Sequence, residues 1–271
     1  MKQHFNGLIL ALLTALLSTQ ALAAAAQQAD SLMDLSGMNA QLEGMPGMME
    51  QVVAQQAAEG GMPDWQAQAL STALRQGFDP AQMKRDIRGH IEDNLDDGHA
   101  DAALDWLQSS LGQRITALEE GADTPEVQAE MMRIMQGGDA GVSERRQALL
   151  DRFDAATRAS EMSVEMVMGI QRGLLSAVLT AAGAPAEQLD MLMGQAEAAR
   201  PQIEAAVVQQ NQLAFAVIYR ELSDAELGKY VTFAESKAGR GYHQAMLEGF
   251  SQAMEAAAVR SGEAIAASAG Q

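Results

Sequence analysis

The sequence predicts an all-α protein of two tandem, diverged helical-bundle repeats behind a cleaved signal peptide. Three observations carry that expectation. Alternating runs of β-branched and polar residues are absent, and the chain is dominated by Ala, Leu, Met, Gln and Glu, which lose little side-chain entropy in a helix. Prolines and small polar residues punctuate it at helical intervals. A short pattern recurs at one constant spacing, with a glycine-rich stretch between its two copies.

The first element is an export segment. Lys2 supplies a positive start, Leu8 to Leu17 form an apolar run broken only by Thr14, and Ala21-Leu22-Ala23 has the small-x-small form that signal peptidase reads. Cleavage is expected between Ala23 and Ala26, which sets residues 1–26 aside from the fold and places the mature protein in the periplasm. No later run approaches about 18 uninterrupted apolar residues, so no membrane span is expected after cleavage. The chain has no cysteine, so neither a disulfide nor a lipidated cysteine is available and stability must come from packing.

The N-terminal repeat occupies 30–136. Pro46 is expected to separate two short helices and Pro63 to start another. Asp79-Pro80-Ala81-Gln82 and Thr124-Pro125 read as an N-cap followed by proline at N1, where a missing N–H costs nothing. Gln136-Gly137-Gly138-Asp139-Ala140-Gly141 is the one loose stretch, and residues 137–142 are expected to form a linker. Ser143 then caps the first helix of the C-terminal repeat, 143–271. Pro185 and Pro201 mark later starts, and Ser223-Asp224-Ala225-Glu226 is a capping box. Each half should hold about four to six helices, mostly of roughly 10 to 20 residues.

The repeat appears at a constant spacing of 127 residues, from Asp97 to Asp224. At that spacing Leu104, Trp106, Ser109 and Gly112 fall on Val231, Phe233, Ser236 and Gly239; upstream, Ile91 falls on Ile218 and Leu95 on Leu222. The shared aspartate reads as a cap, the aliphatic and aromatic positions as a buried stripe, and the Ser and Gly as a close helix approach or a bend.

The second copy, Tyr219-Arg220-Glu221-Leu222-Ser223-Asp224-Ala225-Glu226-Leu227 with Phe233, Ser236 and Gly239, resembles the domain-of-unknown-function 2059 family. It departs from that pattern at Ala234, where the family has a second aromatic. The resemblance spans about residues 205–260, and more weakly 82–133. It implies an exported helical fold and no particular chemistry.

With 36 acidic against 18 basic residues the formal charge is −18, the opposite of the basic footprint that nucleic acid or an anionic membrane surface requires. Basic partners are permitted. No His-Glu-x-x-His, Gly-x-Ser-x-Gly or P-loop is present, and no catalytic residue or cofactor is assigned. The expected role is a non-catalytic interaction module for a protein partner, a basic or hydrophobic client.

Methionine numbers 18, and Met45, Met48 and Met49 are the candidate partner surface. Core filling is the competing role, and the helical spacing of Met131, Met132 and Met135 and of Met162, Met166 and Met168 favours it. Metal handling is the alternative function. It would use either His90, Asp93, Asp97 and His99 as ligands or the thioethers of Gly44-Met45-Pro46-Gly47-Met48-Met49 for Cu(I). A carboxylate-based hydrolase ranks third. Gly169 and Gly173, one helical turn apart, are expected to bring two helices close within the fold or across a homodimer. Aromatic residues concentrate after Phe215, so the better core is expected in the C-terminal half.

Overall fold

The computed structural model describes residues 24–60, 63–181 and 185–269. Most of the predicted signal peptide, residues 1–23, lies outside them. Among the described residues the protein is all-α, with no strand.

Helix α1 covers 24–35 and ends at a turn where Gly37 takes φ +76°, a left-handed conformation that favours glycine. Helix α2 (Met38–Gly60) follows at once and contains Pro46 in its interior. The expected break at Pro46 is therefore wrong; the chain breaks at Ser36-Gly37 instead. Interior proline costs about 3 kcal/mol, and burial of Leu42, Met45, Met49 and Val53 along one face offsets it.

Helices α3 (Asp64–Gly77), α4 (Pro80–Asn94), α5 (Asp97–Gln108), α6 (Ser110–Glu120) and α7 (Pro125–Met135) complete the first half. Asp79 caps α4 as predicted, accepting from the Ala81 N–H at 3.1 Å. At α5 the cap is Asp96, which accepts from Gly98 and His99, and Asp97 is the first helical residue. The cap assigned to Asp97 thus belongs one position earlier, and its counterpart in the second copy is Ser223, with Asp224 first in the helix. The glycine-rich connection is non-helical, with Gly137 at φ +96° and Gly141 at φ +65°.

Ser143 caps α8 (Glu144–Thr157) through the Arg146 N–H. Then come α9 (Ala159–Ala181), α10 (Ala186–Ala198), α11 (Arg200–Ile218), α12 (Asp224–Ala234) and α13 (Lys237–Ala269). The Ser223–Glu226 capping box is present in full. At 33 residues, α13 is about 50 Å long, beyond the expected helix length.

Long α13 organises the packing. It lies chiefly on α9 and also contacts α3, α4 and α5. Close approach is possible because small residues meet there. A Cβ on Gly77 would lie 2.6 Å from the Ala257 carbonyl oxygen, and one on Gly169 would meet the Met254 side chain. Gly173 likewise faces the Phe78 ring, so the glycine pair of α9 serves packing within the chain.

Two main cores result. The larger is rich in Met and Ala: Leu32, Met33, Met45, Met49, Met83 and Ile87 come from the first half, and Phe250, Met254 and Ala257 from α13. The smaller is aromatic, with Phe153, Phe215, Tyr219 and Tyr230 from the second half and Ile115 from the first. The halves read from the sequence therefore share their cores.

A half-buried acid in an aromatic cavity

Where the two cores meet, the chain forms a half-open cavity of about 370 Å³. It is assembled from separate pieces of chain. Trp106 comes from α5, Glu119 from α6, Phe153 from α8, Met162 and Met166 from α9, and Phe215 and Tyr219 from the end of α11. Tyr230 and Phe233 come from α12, and Tyr242, His243 and Met246 from α13.

The ends of α6, α11 and α12 are held together by arginines. Arg114 on α6 donates to the Glu221 carbonyl at 2.9 Å and to Glu226 Oε1 at 2.7 Å. Arg146 on α8 donates to the Tyr219 carbonyl and, at 2.9 Å, to Asp224 Oδ1. These charge-assisted bonds satisfy carbonyls at the α11–α12 corner and fix Tyr219 opposite α6.

Glu119 is the central polar group. The Tyr219 hydroxyl donates to its Oε1 at 2.6 Å, and the Tyr230 hydroxyl donates to the same oxygen at 3.4 Å. Burial pushes the carboxyl up to about 7, against the opposing effect of the two phenols, and the neighbouring Glu120 charge pushes the same way as burial. Burial and the adjacent Glu119 hold both phenols well above their ordinary range. His243 is the second polar group. Its Nε2 is buried without a hydrogen-bond partner, and desolvation pushes the imidazole down to about 4, so it is neutral at neutral pH.

Aromatic rings form the walls. Trp106 stacks on Phe233 with centroids 4.9 Å apart and on Tyr230 at 5.6 Å. Phe153 meets Phe215 and Tyr219 edge-on, each at 5.1 Å. Among the described lining residues there is no lysine or arginine.

The residues singled out from sequence fall elsewhere. His90 Nε2 lies 3.4 Å from Glu248 on α13, and Asp93 borders a separate shallow hollow beside it. Asp97 opens α5 near Gln28, while His99 packs against Gly241. These four are not brought together, and among the described residues no group of three or more His, Asp or Glu could hold a metal ion.

The candidate partner surface also needs correction. Met45 and Met49 are fully buried, leaving only Met48 of the three at the surface, so they do not form a shared apolar face or a cluster of accessible thioethers. Among the described residues Met132, Met135 and Met191 are more exposed than Met48, two of them on α7, where helical spacing had suggested core.

The repeat residues fare differently. Ser109 caps α6 by accepting from the Gly112 N–H at 3.0 Å, and Ser236 accepts from Gly239 at 3.0 Å. Leu104 packs against the Met-rich core, Val231 lies inside the aromatic one, and Trp106 and Phe233 touch both.

Glu119 and His243 carried no signal in the sequence. Glu119-Glu120 reads as a solvated helix end, and His243 sits among helix formers. Only the aromatic concentration after Phe215 pointed to this region. No protein-family profile, curated protein or solved structure matches the chain.

Proposed function

We propose that this is a non-catalytic binding module, exported to the periplasm, that holds a small, largely apolar molecule in the cavity between its two cores. One observation carries the reading: a ligand-sized space walled by aromatic rings with a carboxyl group, that of Glu119, set among them. Binding is favoured over turnover because Glu119 is already engaged by two phenols and, among the described lining residues, no nucleophile is hydrogen-bonded to a base.

The protein carries its own reporter. Trp65 is exposed and Trp106 lines the cavity, so Trp65→Phe leaves a single tryptophan at the site. A saturable change in its emission with N-phenyl-1-naphthylamine is expected, lost when Ala159→Phe fills the space. Equal binding to the filled variant would overturn the reading. Export is tested by the N-terminus of protein recovered from a periplasmic fraction, expected between residues 24 and 27.

Duplication of an ancestral half, and kinship with the domain-of-unknown-function 2059 family, belong to the same proposal. They are supported by the matched serine caps at Ser109 and Ser236.

A second reading keeps a protein partner but moves its surface. Helix α7 buries no residue and presents Met132 and Met135 to solvent, an adaptable apolar face for a hydrophobic client or a second copy. Site-specific crosslinking from position 132 tests it; no adduct in periplasm would remove it.

A further inference from the structure

We propose that the cavity is built for an organic monocation, an ammonium group carried on an apolar or aromatic body, with Glu119 as its counter-ion. This rests on the binding reading above and adds the sign of the ligand's charge.

The lining decides that sign. Apart from the high-lying phenols, the groups in the wall able to carry charge are Glu119 and His243, and His243 is neutral at neutral pH. With no lysine or arginine among the described lining residues, the charge the wall can offer is negative, that of Glu119, which ionises as pH rises through about 7. An anionic ligand would meet uncompensated like charge. A fully apolar ligand would leave the Glu119 carboxyl facing hydrocarbon, which is costly for a polar group. A cation satisfies it. Both phenols donate to Oε1, so neither covers Oε2. A divalent metal is a poor occupant, since a single carboxylate gives too few oxygens. The chain's charge of −18 favours approach of a cation from solution.

The test uses three probes of one shape: 4-phenylbutylamine, 4-phenylbutanol and 4-phenylbutanoate. Each is titrated at pH 7.5 against the Trp65→Phe protein and followed by Trp106 emission and calorimetry. The amine is expected to bind at least tenfold more tightly than the alcohol, and the carboxylate not at all. Glu119→Gln keeps an acceptor for both phenols, and it should erase the amine's advantage over the alcohol. Alcohol or carboxylate binding as well as the amine would overturn the charge inference and leave the cavity reading intact. Binding of none of the three, together with no response to N-phenyl-1-naphthylamine, would overturn both. The comparison within the unsubstituted site stands even if the variant folds poorly.

Discussion

Trp106 and Phe233 lie face to face, ring centroids 4.9 Å apart and planes within 8° of parallel. Each precedes, by three residues, a serine that caps the next helix and, by six, a glycine pressed against the aromatic residue's own carbonyl. The stack thus joins matching points of the two halves at the seam between the Met-rich and aromatic cores. Trp106→Ala should cost about 3 kcal/mol through lost contacts and a cavity. Because the rings touch, Trp106→Ala and Phe233→Ala combined should cost less than the sum of the two. Urea midpoints of the singles and the double measure this.

The two glycines should be intolerant of any side chain. A Cβ on either Gly112 or Gly239 would stand 2.1 Å from the carbonyl oxygen of Trp106 or Phe233, a backbone clash that no rotamer relieves. Alanine at either position is expected to destabilise by at least about 3 kcal/mol. Gly89, inside α4, has open space around the same direction, so Gly89→Ala should be neutral or stabilise by up to about 1 kcal/mol. Thermal melts of the three variants give the contrast.

Stability should respond to pH through two opposed groups. Glu119 titrates near 7 in the fold against 4.5 unfolded, so the stability it contributes is complete below pH 4.5 and lost as pH rises through 7. His243 titrates near 4 against 6.5, so its contribution is present above 6.5 and lost as pH falls through 4. Each contribution is at most about 3 to 4 kcal/mol. Around Glu119 the phenols of Tyr219 and Tyr230 stay protonated throughout, and Glu120 reinforces the upward shift. The difference between Glu119→Gln and the parent, from urea unfolding at several pH values, should therefore grow in the variant's favour between pH 4.5 and 7. A flat difference would contradict the assignment.

Peroxide should distinguish the methionines by depth. Met132, Met135 and Met191 are 55%, 69% and 56% exposed, whereas Met45, Met83 and Met168 have no exposed surface. The first three are expected to become sulfoxides rapidly, and the buried three only as the fold opens. Peptide mass spectrometry over a peroxide time course reads the order, and early oxidation of Met45 would contradict its burial.

What sequence revealed was local. The all-α class, the caps at Asp79, Ser143 and Ser223, and the loose stretch at 137–142 depend on residues within a turn of one another, and each can be read from spacing. Pro46 misled because local propensity gave way to burial of Leu42, Met45 and Met49 on one face. Helical spacing also cannot say which way a stripe points, so Met45 read as surface and Met135 as core. The cavity was illegible for a different reason. Glu119 meets Tyr219 across 100 residues of chain, and nothing near Glu119 announces two phenols.

Helix α13 gives the order of assembly a direction. The Met-rich core takes Leu32, Met45 and Ile87 early in the chain, and its opposite wall is Phe250, Met254 and Ala257. During synthesis the early helices emerge with that wall missing. They must wait, apolar faces uncovered, until the latest of the described helices arrives, and a chain halted after α12 would aggregate rather than stand as half a protein.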